Sequence, residues 1–174
     1  KKESYRIERK DTVITITAAD ASGALYAAFD LARSLYLATL TDGTDRMEAP
    51  MNPLRMMNHW DNIDGSIERG YSGLSFFMKD GKVLVDDRTR FYARMAASVG
   101  INGVVINNVN VRGDATNLIN EKFRKKLQAM QAIFESYGIK LYLSLNYAAP
   151  VEMGILTTSD PLDKKVRKWW VEKM

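Results

Sequence analysis

The first forty residues carry two short β-rich segments followed by a helical pattern. Residues 4–8 and 12–17 alternate in polarity or are rich in β-branched side chains, which predicts two strands joined by a hairpin. A helix should follow, capped by Asp20 or Ser22, because a short side-chain oxygen can accept a hydrogen bond from an orphan backbone amide. The pattern therefore predicts a β-β-α unit over residues 4–40. The predicted buried face of its helix recurs at the helical period and comprises Leu25, Ala28, Phe29, Ala32, Leu35 and Tyr36.

Residues 41–53 are predicted to be a linker. They contain Asp42-Gly43 and two prolines, Pro50 and Pro53, and the strong signals among them are turn signals. We therefore expect a domain boundary here. Residues 1–45 would form the C-terminal part of a small N-terminal α/β domain, and residues 46–174 would begin a second domain.

After the linker, short apolar runs alternate with helical patterns. The runs at residues 54–57, 101–107 and 139–145 predict three buried strands, and residues 88–99 and 117–137 predict two helices. The stripes expected to face the core are Phe91, Met95 and Val99 in the first helix, with Asp87 as a cap, and Phe123, Leu127, Met130, Phe134 and Tyr137 in the second. A last helix is expected to open at Asp160-Pro161 and to carry Trp169 and Trp170.

The two middle units share a register. Gly100 and Gly138 each end a predicted helix, where glycine can adopt the left-handed conformation, and they lie 38 residues apart. Asn108 and Asn146 each lie eight residues beyond the respective glycine. A period of this size is that of one βα unit, and repeated βα units imply a parallel sheet.

Polar side chains follow each of the three predicted strands. Asn58 and His59 follow the first, Asn107 and Asn108 the second, and Asn146 the third. In a (β/α) barrel the active site lies where the strands end. The pattern therefore indicates either a functional site at the strand ends or strands that simply leave the core.

Residues 58–73 have a composition suited to binding a sugar. Fourteen of these sixteen residues are polar, aromatic or glycine, the exceptions being Ile63 and Ile67. Aromatic rings can pack on the C–H faces of a pyranose, while amides and carboxylates bind its hydroxyls. An arginine can hold a uronate carboxylate through a bidentate fork.

Each candidate in this segment also has a structural explanation. A lone histidine such as His59 more often has a hydrogen-bonded structural role, Trp60 could instead belong to the core, and Glu68 with Arg69 could form a surface ion pair. Asp61 and Glu68 could form a carboxylate pair, but they share one loop, whereas glycosidase carboxyls flank the scissile bond. One histidine and no cysteine argue against a metal site.

Composition narrows the classes of partner. The net charge of +4 is scattered, and the densest basic cluster, Lys122 to Lys126, is typical of a solvated helix face, so no nucleic acid partner is expected. No apolar run approaches the roughly 20 residues of a membrane span, and no glycine-rich phosphate loop follows a predicted strand. We therefore expect no membrane partner and no cofactor.

The absence of cysteine excludes disulfides and leaves the cellular compartment undetermined. Because the chain begins Lys1-Lys2, we expect the natural N-terminus to lie upstream.

Residues 58–73 resemble the stretch that follows the first barrel strand in the glycoside hydrolase family 67 α-glucuronidases. Gly100-Ile101-Asn102-Gly103 through Asn107-Asn108-Val109-Asn110 resembles the second strand of that family and its polar exit. Residues 3–37 resemble the end of the small α/β domain that precedes the barrel in this and several other glycosidase families. One departure is residues 77–85, which read as an Asp-Gly hairpin where the family more usually has a tryptophan-rich stretch.

The resemblance implies a fold and an activity. The fold would be α/β: a partial (β/α)8 TIM barrel of about three βα units, preceded by a β-β-α piece of a small α/β domain. The family removes glucuronic acid or its 4-O-methyl ether from xylo-oligosaccharides by inverting hydrolysis, so the expected partner is a xylo-oligosaccharide bearing that sugar. The catalytic carboxylates come from later strands and are expected beyond Met174, so none is assigned here.

The resemblance further implies that this chain contributes part of the substrate pocket. Trp60 would be a platform for the uronate ring, and the other polar residues would contact hydroxyls or shape the loop. Val109 would form a small apolar wall. The expected substrate-binding residues are His59, Trp60, Asp61, Asn62, Arg69, Asn107, Asn108, Val109 and Asn110.

Other interpretations remain open from the sequence. The same small domain precedes the barrel in other glycosidases, such as β-hexosaminidases, and a non-catalytic carbohydrate-binding module would use similar residues. Three βα units cannot close an eight-stranded barrel. Their unpaired edges predict that the isolated piece is inactive and tends to form homo-oligomers or aggregates.

Overall fold

The computed structural model describes residues 1–107 and 113–173, apart from the side chains of residues 114 and 115. Two units follow each other along the chain. The first is an antiparallel sheet with one helix packed against it. Its elements are β1 (Tyr5–Lys10), β2 (Val13–Ala18), α1 (Ala21–Tyr36) and β3 (Asp45–Glu48).

The strand β3 lies inside the segment that was predicted to be a linker, so that prediction is wrong for these four residues. The sheet order is β2-β1-β3, and β3 pairs antiparallel with β1, with Ile7 opposite Arg46. Sequence patterning missed this strand because three of its four residues are charged and it lies at a solvated sheet edge, where charges are favoured. Residues 46–48 therefore belong with the first sheet.

Helix α1 begins as predicted, since the carboxylate of Asp20 accepts a hydrogen bond from the backbone N–H of Gly23. Its buried face differs from the predicted stripe. Of that stripe, Leu25 and Phe29 pack against the core of the second unit, whereas the other members are exposed. The helix lies between the sheet and the second unit, and its buried positions are Gly23, Tyr26, Ala27 and Ser34.

The second unit is built on a short parallel sheet, as the repeated register predicted. Its elements are β4 (Met56–Asn58), β5 (Met78–Lys79), β6 (Lys82–Val83), α2 (Asp87–Ser98), β7 (Gly103–Val105), a 3-10 helix (Gly113–Ile119), α3 (Glu121–Glu135), β8 (Lys140–Tyr142), α4 (Ala149–Glu152) and α5 (Lys164–Lys173). The strand order of the sheet is β4-β7-β8, with both pairs parallel. Along the chain, the β5–β6 hairpin and α2 lie between β4 and β7, the 3-10 helix and α3 lie between β7 and β8, and α4 and α5 follow β8.

The two long helices of this unit end identically. The glycines that follow them have positive φ, +80° at Gly100 and +70° at Gly138, as predicted. In each case the next N–H reaches back five residues, from Ile101 to the carbonyl of Ala96 and from Ile139 to that of Phe134. This is the Schellman arrangement, which satisfies helix carbonyls and turns the chain into the next strand. The cap of α2 is Asp86 rather than the predicted Asp87, because Asp86 forms a reciprocal capping box with Thr89.

The core lies between the parallel sheet and helices α2 and α3. Val104 on β7 is paired in register with Leu141 on β8, and both contact the core. On α2 the buried positions are Thr89, Tyr92, Ala93, Ala96 and Ala97. The predicted stripe of Phe91, Met95 and Val99 is exposed, so that prediction is wrong. The helix carries two apolar stripes, and the alanine-rich one is buried because small side chains let α2 approach α1 and α3 closely.

The Asp-Gly hairpin is confirmed. Asp80 and Gly81 both have positive φ, 49° and 74°, which is the type I′ geometry of a two-residue hairpin. Their backbone N–H groups donate to the carbonyls of Asp64 and Ile63. The hairpin is thereby fastened to the loop that follows β4, which is the segment of interest for function.

Candidate functional site

The polar segments that follow the strands emerge at one edge of the parallel sheet. Asn58, Val105 and Tyr142 lie side by side in the register of the three strands. The N–H of His59 continues this ladder by donating to the carbonyl of Val105 at 2.9 Å. The structure therefore places the segments beginning at residues 59, 106 and 143 next to one another, as the parallel arrangement predicted.

The residues directly after β4 alternate between the core and the solvent. His59 and Asp61 are buried or nearly so, and Trp60 between them is 37% exposed. Its carbonyl accepts a hydrogen bond from the N–H of Glu68 at 2.7 Å. Because side chains alternate along extended backbone, Trp60 projects from the same face as Asn58, which is the face opposite the helices.

That face carries exposed and half-exposed side chains. It includes Met56, Gly103 and Tyr142, and a Cβ added to Gly103 would lie 2.9 Å from Cγ of Met56 and 3.2 Å from Cε2 of Tyr142. Glycine is needed here because the larger residues on the flanking strands fill the space above it. The result is a layer of side chains beneath the strand exits where Trp60 lies.

His59 is held by protein groups. Its Nε2 forms a hydrogen bond with the hydroxyl of Tyr92, and its ring packs edge-on against Phe77 and Tyr92, with centroids 5.1 Å and 5.3 Å away. Burial lowers the pKa of His59, which favours the neutral imidazole. Burial and the charge of Asp61 raise the pKa of Tyr92 to about 12, so its hydroxyl keeps its proton. Of the two roles predicted for His59, these contacts support the structural one.

Asp61 is an enclosed carboxylate. Its Oδ2 lies 3.9 Å from Nδ1 of His59 and has no hydrogen-bond partner among the residues that the structure describes. Burial raises the pKa of Asp61, while the Ser75 hydroxyl and the backbone N–H of Asp61 itself oppose that shift. The enclosure of Asp61 argues against the alternative in which Asp61 and Glu68 flank a glycosidic bond.

The remaining candidates after β4 shape the loop. The carboxamide nitrogen of Asn62 donates to Oγ of Ser66 and to the carbonyl of Glu68, both at 2.8 Å. The Glu68 carboxylate accepts hydrogen bonds from the hydroxyls of Tyr71 and Ser72. Arg69 is exposed. The loop is therefore closed by its own polar side chains, with Arg69 directed to solvent.

At the exit of β7, Asn107 is fully buried. Its Oδ1 accepts from the N–H of Ser144 at 3.0 Å, and its Nδ2 lies 3.4 Å from the carbonyl of the same residue. The side chain thus continues the pairing of β7 with β8 beyond the last strand residues. Asn108, Val109 and Asn110 lie outside the described residues.

Sequence reasoning missed two residues that support this edge. Tyr92 holds His59, and Ser75 contacts Asp61 and accepts hydrogen bonds from the N–H groups of Phe77 and Met78. Tyr92 could have been found only by choosing the alanine-rich stripe of α2 as the buried one. Ser75 carried no signal, since a serine in a polar loop looks solvated.

The described part of the site offers an aromatic surface and hydrogen-bonding groups. In residues 1–107 and 113–173, no cluster of three or more histidine, cysteine, aspartate or glutamate side chains could hold a metal. Among those same residues, no helix has the length and apolar character to cross a bilayer.

Comparison with known proteins gives a consistent family. Residues 36–174 match the model of the glycosyl hydrolase family 67 middle domain. The chain is 41% identical over 184 positions to an alpha-glucuronidase of Hypocrea jecorina, covering 99% of this chain and 21% of that protein. It is 39% identical over 173 residues to a probable alpha-glucuronidase A of Aspergillus clavatus, covering 97% of this chain and 20% of that protein.

A solved structure shares the fold. A GH138 enzyme targeting pectin rhamnogalacturonan II superposes with a TM-score of 0.60 at 15% identity, over 98% of this chain and 22% of that one. The chain spans about one fifth of the length of the curated relatives it matches. The family match does not favour the β-hexosaminidase alternative. From residue 36 onward the chain matches one family model across its second unit, and the chain belongs to glycosyl hydrolase family 67.

Proposed function

We propose that the whole protein containing this chain removes glucuronic acid or 4-O-methylglucuronic acid from xylo-oligosaccharides by inverting hydrolysis. The chain belongs to family 67, and the relatives it matches are named α-glucuronidases. Its own part in the reaction is to form one wall of the substrate pocket. The catalytic carboxylates are contributed by the rest of the protein.

The architecture proposed for that protein is a (β/α)8 barrel, to which the second unit, from β4 onward, contributes the first βα units and the unit of β1, β2, α1 and β3 a piece of the preceding domain. Three observations support it. The strands β4, β7 and β8 are parallel and adjacent in chain order, helices cover one face, and the other face carries Met56, Gly103 and Tyr142 as a layer. Barrel interiors are filled by such layers, and their active sites lie at the carboxyl ends of the strands.

The observation that carries the proposal is the position of Trp60. Its ring is 37% exposed at the carboxyl end of β4, beside the exits of β7 and β8. An indole held there can pack on the C–H face of a uronate ring. Arg69, exposed on the same loop, is the cation proposed to approach the uronate carboxylate.

The test uses the whole enzyme and an aldouronic oligosaccharide bearing 4-O-methylglucuronate. The enzyme should release the uronic acid with inversion, which ¹H NMR detects as the β-anomer appearing first, and the 174-residue chain alone should not. Trp60→Ala should lower kcat/KM about thirtyfold, because loss of a packed aromatic costs on the order of 2 kcal/mol.

Phe91→Ala is the matched control. Phe91 is an exposed aromatic on the outer face of α2, so its removal should leave kcat/KM unchanged. Equal effects of the two substitutions on kcat/KM would show that Trp60 does not line the pocket. Turnover by the isolated chain would contradict the placement of the catalytic groups.

A further inference from the structure

Tyr92, His59 and Asp61 form a row of polar side chains beneath the exit of β4, named here the polar chain, in which Tyr92 and His59 are hydrogen-bonded and His59 and Asp61 are close neighbours without a hydrogen bond. The Tyr92 hydroxyl bonds to Nε2 of His59, and Nδ1 on the other side of the imidazole faces Oδ2 of Asp61 at 3.9 Å. All three side chains are buried or mostly buried. The aromatic faces of Phe77 and Tyr92 fix the plane of the imidazole.

The position of Asp61 bears on where the single proton of the neutral imidazole lies. A lone pair on Nδ1 would face the Asp61 carboxyl at 3.9 Å and be repelled by it, whereas an N–H there would be attracted. Asp61 therefore favours the tautomer with the proton on Nδ1. The Tyr92 hydroxyl, which can both donate and accept, then donates to Nε2.

Two members of this polar chain flank Trp60 in the sequence. His59 and Asp61 are its immediate neighbours in sequence, and both side chains are anchored on the buried side. In extended backbone, fixing the directions of residues 59 and 61 fixes the direction of the Cα–Cβ bond of residue 60. The hydrogen bonds from the N–H of His59 to Val105 and from the N–H of Glu68 to the carbonyl of Trp60 hold the intervening backbone.

We propose that Tyr92, His59 and Asp61 are positioning residues that hold Trp60 in place through a polar chain in which neutral His59 carries its proton on Nδ1. This inference rests on the proposed function of Trp60 as a platform for the uronate ring. Because Asp61 is enclosed and the largely buried His59 is bonded to Tyr92, they act through Trp60 rather than by touching the substrate.

The tautomer can be read from the ¹⁵N chemical shifts of the imidazole. His59 is the single histidine of the chain, so both signals belong to it, and the couplings to Hε1 and Hδ2 distinguish Nδ1 from Nε2. At neutral pH, Nδ1 should show the shift of a protonated nitrogen and Nε2 that of an unprotonated one. In the whole enzyme the same signals are identified by their disappearance in His59→Gln. A proton on Nε2, or a doubly protonated ring, would overturn the proposal.

The positioning role is tested by the kinetics of Tyr92→Phe in the whole enzyme. This change removes the hydroxyl and keeps the ring contacts with Phe77 and Phe134. A displaced platform weakens binding in the ground state and the transition state alike, so KM should rise roughly tenfold while kcat per active site stays nearly constant. A merely structural loss would reduce the folded fraction, and so kcat per total enzyme, with KM unchanged.

Tyr26→Phe is the control, because it also removes a buried tyrosine hydroxyl but lies at the junction of the two units. Its KM should equal that of the wild type. If Trp60→Ala raises KM and Tyr92→Phe does not, the positioning chain is wrong and the proposed pocket stands. If Trp60→Ala leaves KM unchanged, the proposed pocket itself fails.

Discussion

Arg55 and Glu3 join the two units of the chain through a largely buried ion pair. Nη2 of Arg55 donates to Oε2 of Glu3 at 2.8 Å, and the side chains are 19% and 10% exposed. Asn102 completes the junction: its Oδ1 accepts from the N–H of Arg55 at 2.8 Å, and its Nδ2 reaches Oε1 of Glu3 at 3.3 Å. The group connects the start of β1, the start of β4 and the turn before β7.

Removal of one partner of this pair should destabilise the chain strongly. In Arg55→Ala the Glu3 carboxylate would remain buried with its charge uncompensated, and we expect a loss of about 3 kcal/mol in the free energy of unfolding. Urea denaturation followed by circular dichroism measures this. The double variant with Glu3→Ala should cost less than the sum of the two single changes.

The pair Arg6–Asp45 is the matched control. It also joins an arginine to a carboxylate, with Nη2 and Oδ2 2.6 Å apart, but both side chains are about half exposed. Arg6→Ala should barely move the urea midpoint, because solvent screens exposed ion pairs. Similar effects of Arg6→Ala and Arg55→Ala would show that burial does not determine the strength of these pairs.

Gly23 gives a prediction that runs against helix propensity. It lies in α1, where alanine is intrinsically favoured by about 1 kcal/mol. A Cβ at this position would lie 2.5 Å from the backbone carbonyl oxygen of Ser4, however, and backbone cannot move aside as a side chain can. Gly23→Ala should therefore destabilise the chain by about 1–3 kcal/mol.

The neighbouring change Ala24→Gly serves as its counterpart. Ala24 is exposed, so this substitution should cost only the intrinsic preference, about 0.5–1 kcal/mol. Thermal unfolding of the two variants compares them directly. A more stable Gly23→Ala variant would mean that α1 does not approach Ser4 closely.

The ends of several elements were predictable from the sequence because local signals determine them. Asp20 as a cap, Gly100 and Gly138 as helix ends and Asp80-Gly81 as a hairpin turn each act through a few neighbouring residues, and each is confirmed. The strand β3 was not predictable, since its charged residues pair through their backbone with the distant β1. Which of two apolar stripes on α2 faces the core also depends on long-range packing.

The two stripes of α2 can be distinguished by comparing adjacent aromatics. Phe91 belongs to the stripe that periodicity selected, yet it is 66% exposed, whereas Tyr92 packs against Phe77 and Phe134 in the core. Tyr92→Ala should cost about 3–4 kcal/mol and Phe91→Ala less than about 0.5 kcal/mol. Denaturant midpoints with unchanged slopes would measure both. The reverse ranking would mean that the helix is rotated by one position.

The candidate site was predictable in its location but not in its internal roles. The polar ends of the strands indicated the edge, because parallel strands bring their carboxyl ends together. Composition could not separate Trp60, which faces outward, from His59 and Asp61, which face inward, since that depends on the strand register. Nor could it reveal that Asn107 is committed to the backbone of Ser144.

Asp61 should make stability depend on pH in an unusual direction. Burial raises its pKa above the usual 3.8, so the folded chain retains this proton after the unfolded chain has lost it. Wild-type stability therefore falls as the pH rises from about 4 through the raised pKa, and the loss is complete above it. In Asp61→Asn the group cannot ionise. The free energy of unfolding of the variant relative to the wild type should thus increase with pH over this window and then level off.

Urea denaturation at a series of pH values between about 4 and 8 measures this difference. His59 acts in the opposite direction, because its lowered pKa makes the folded chain resist protonation below about 6.5, but it is present in both proteins and its effect largely cancels. If the free energy of unfolding of Asp61→Asn relative to the wild type instead increased as the pH fell, the fold would favour Asp61 as a carboxylate. If Asp61→Asn is more stable at neutral pH and yet raises KM in the whole enzyme, the enclosed acid is retained for positioning Trp60 at the expense of stability, which is the trade-off expected of a functional residue.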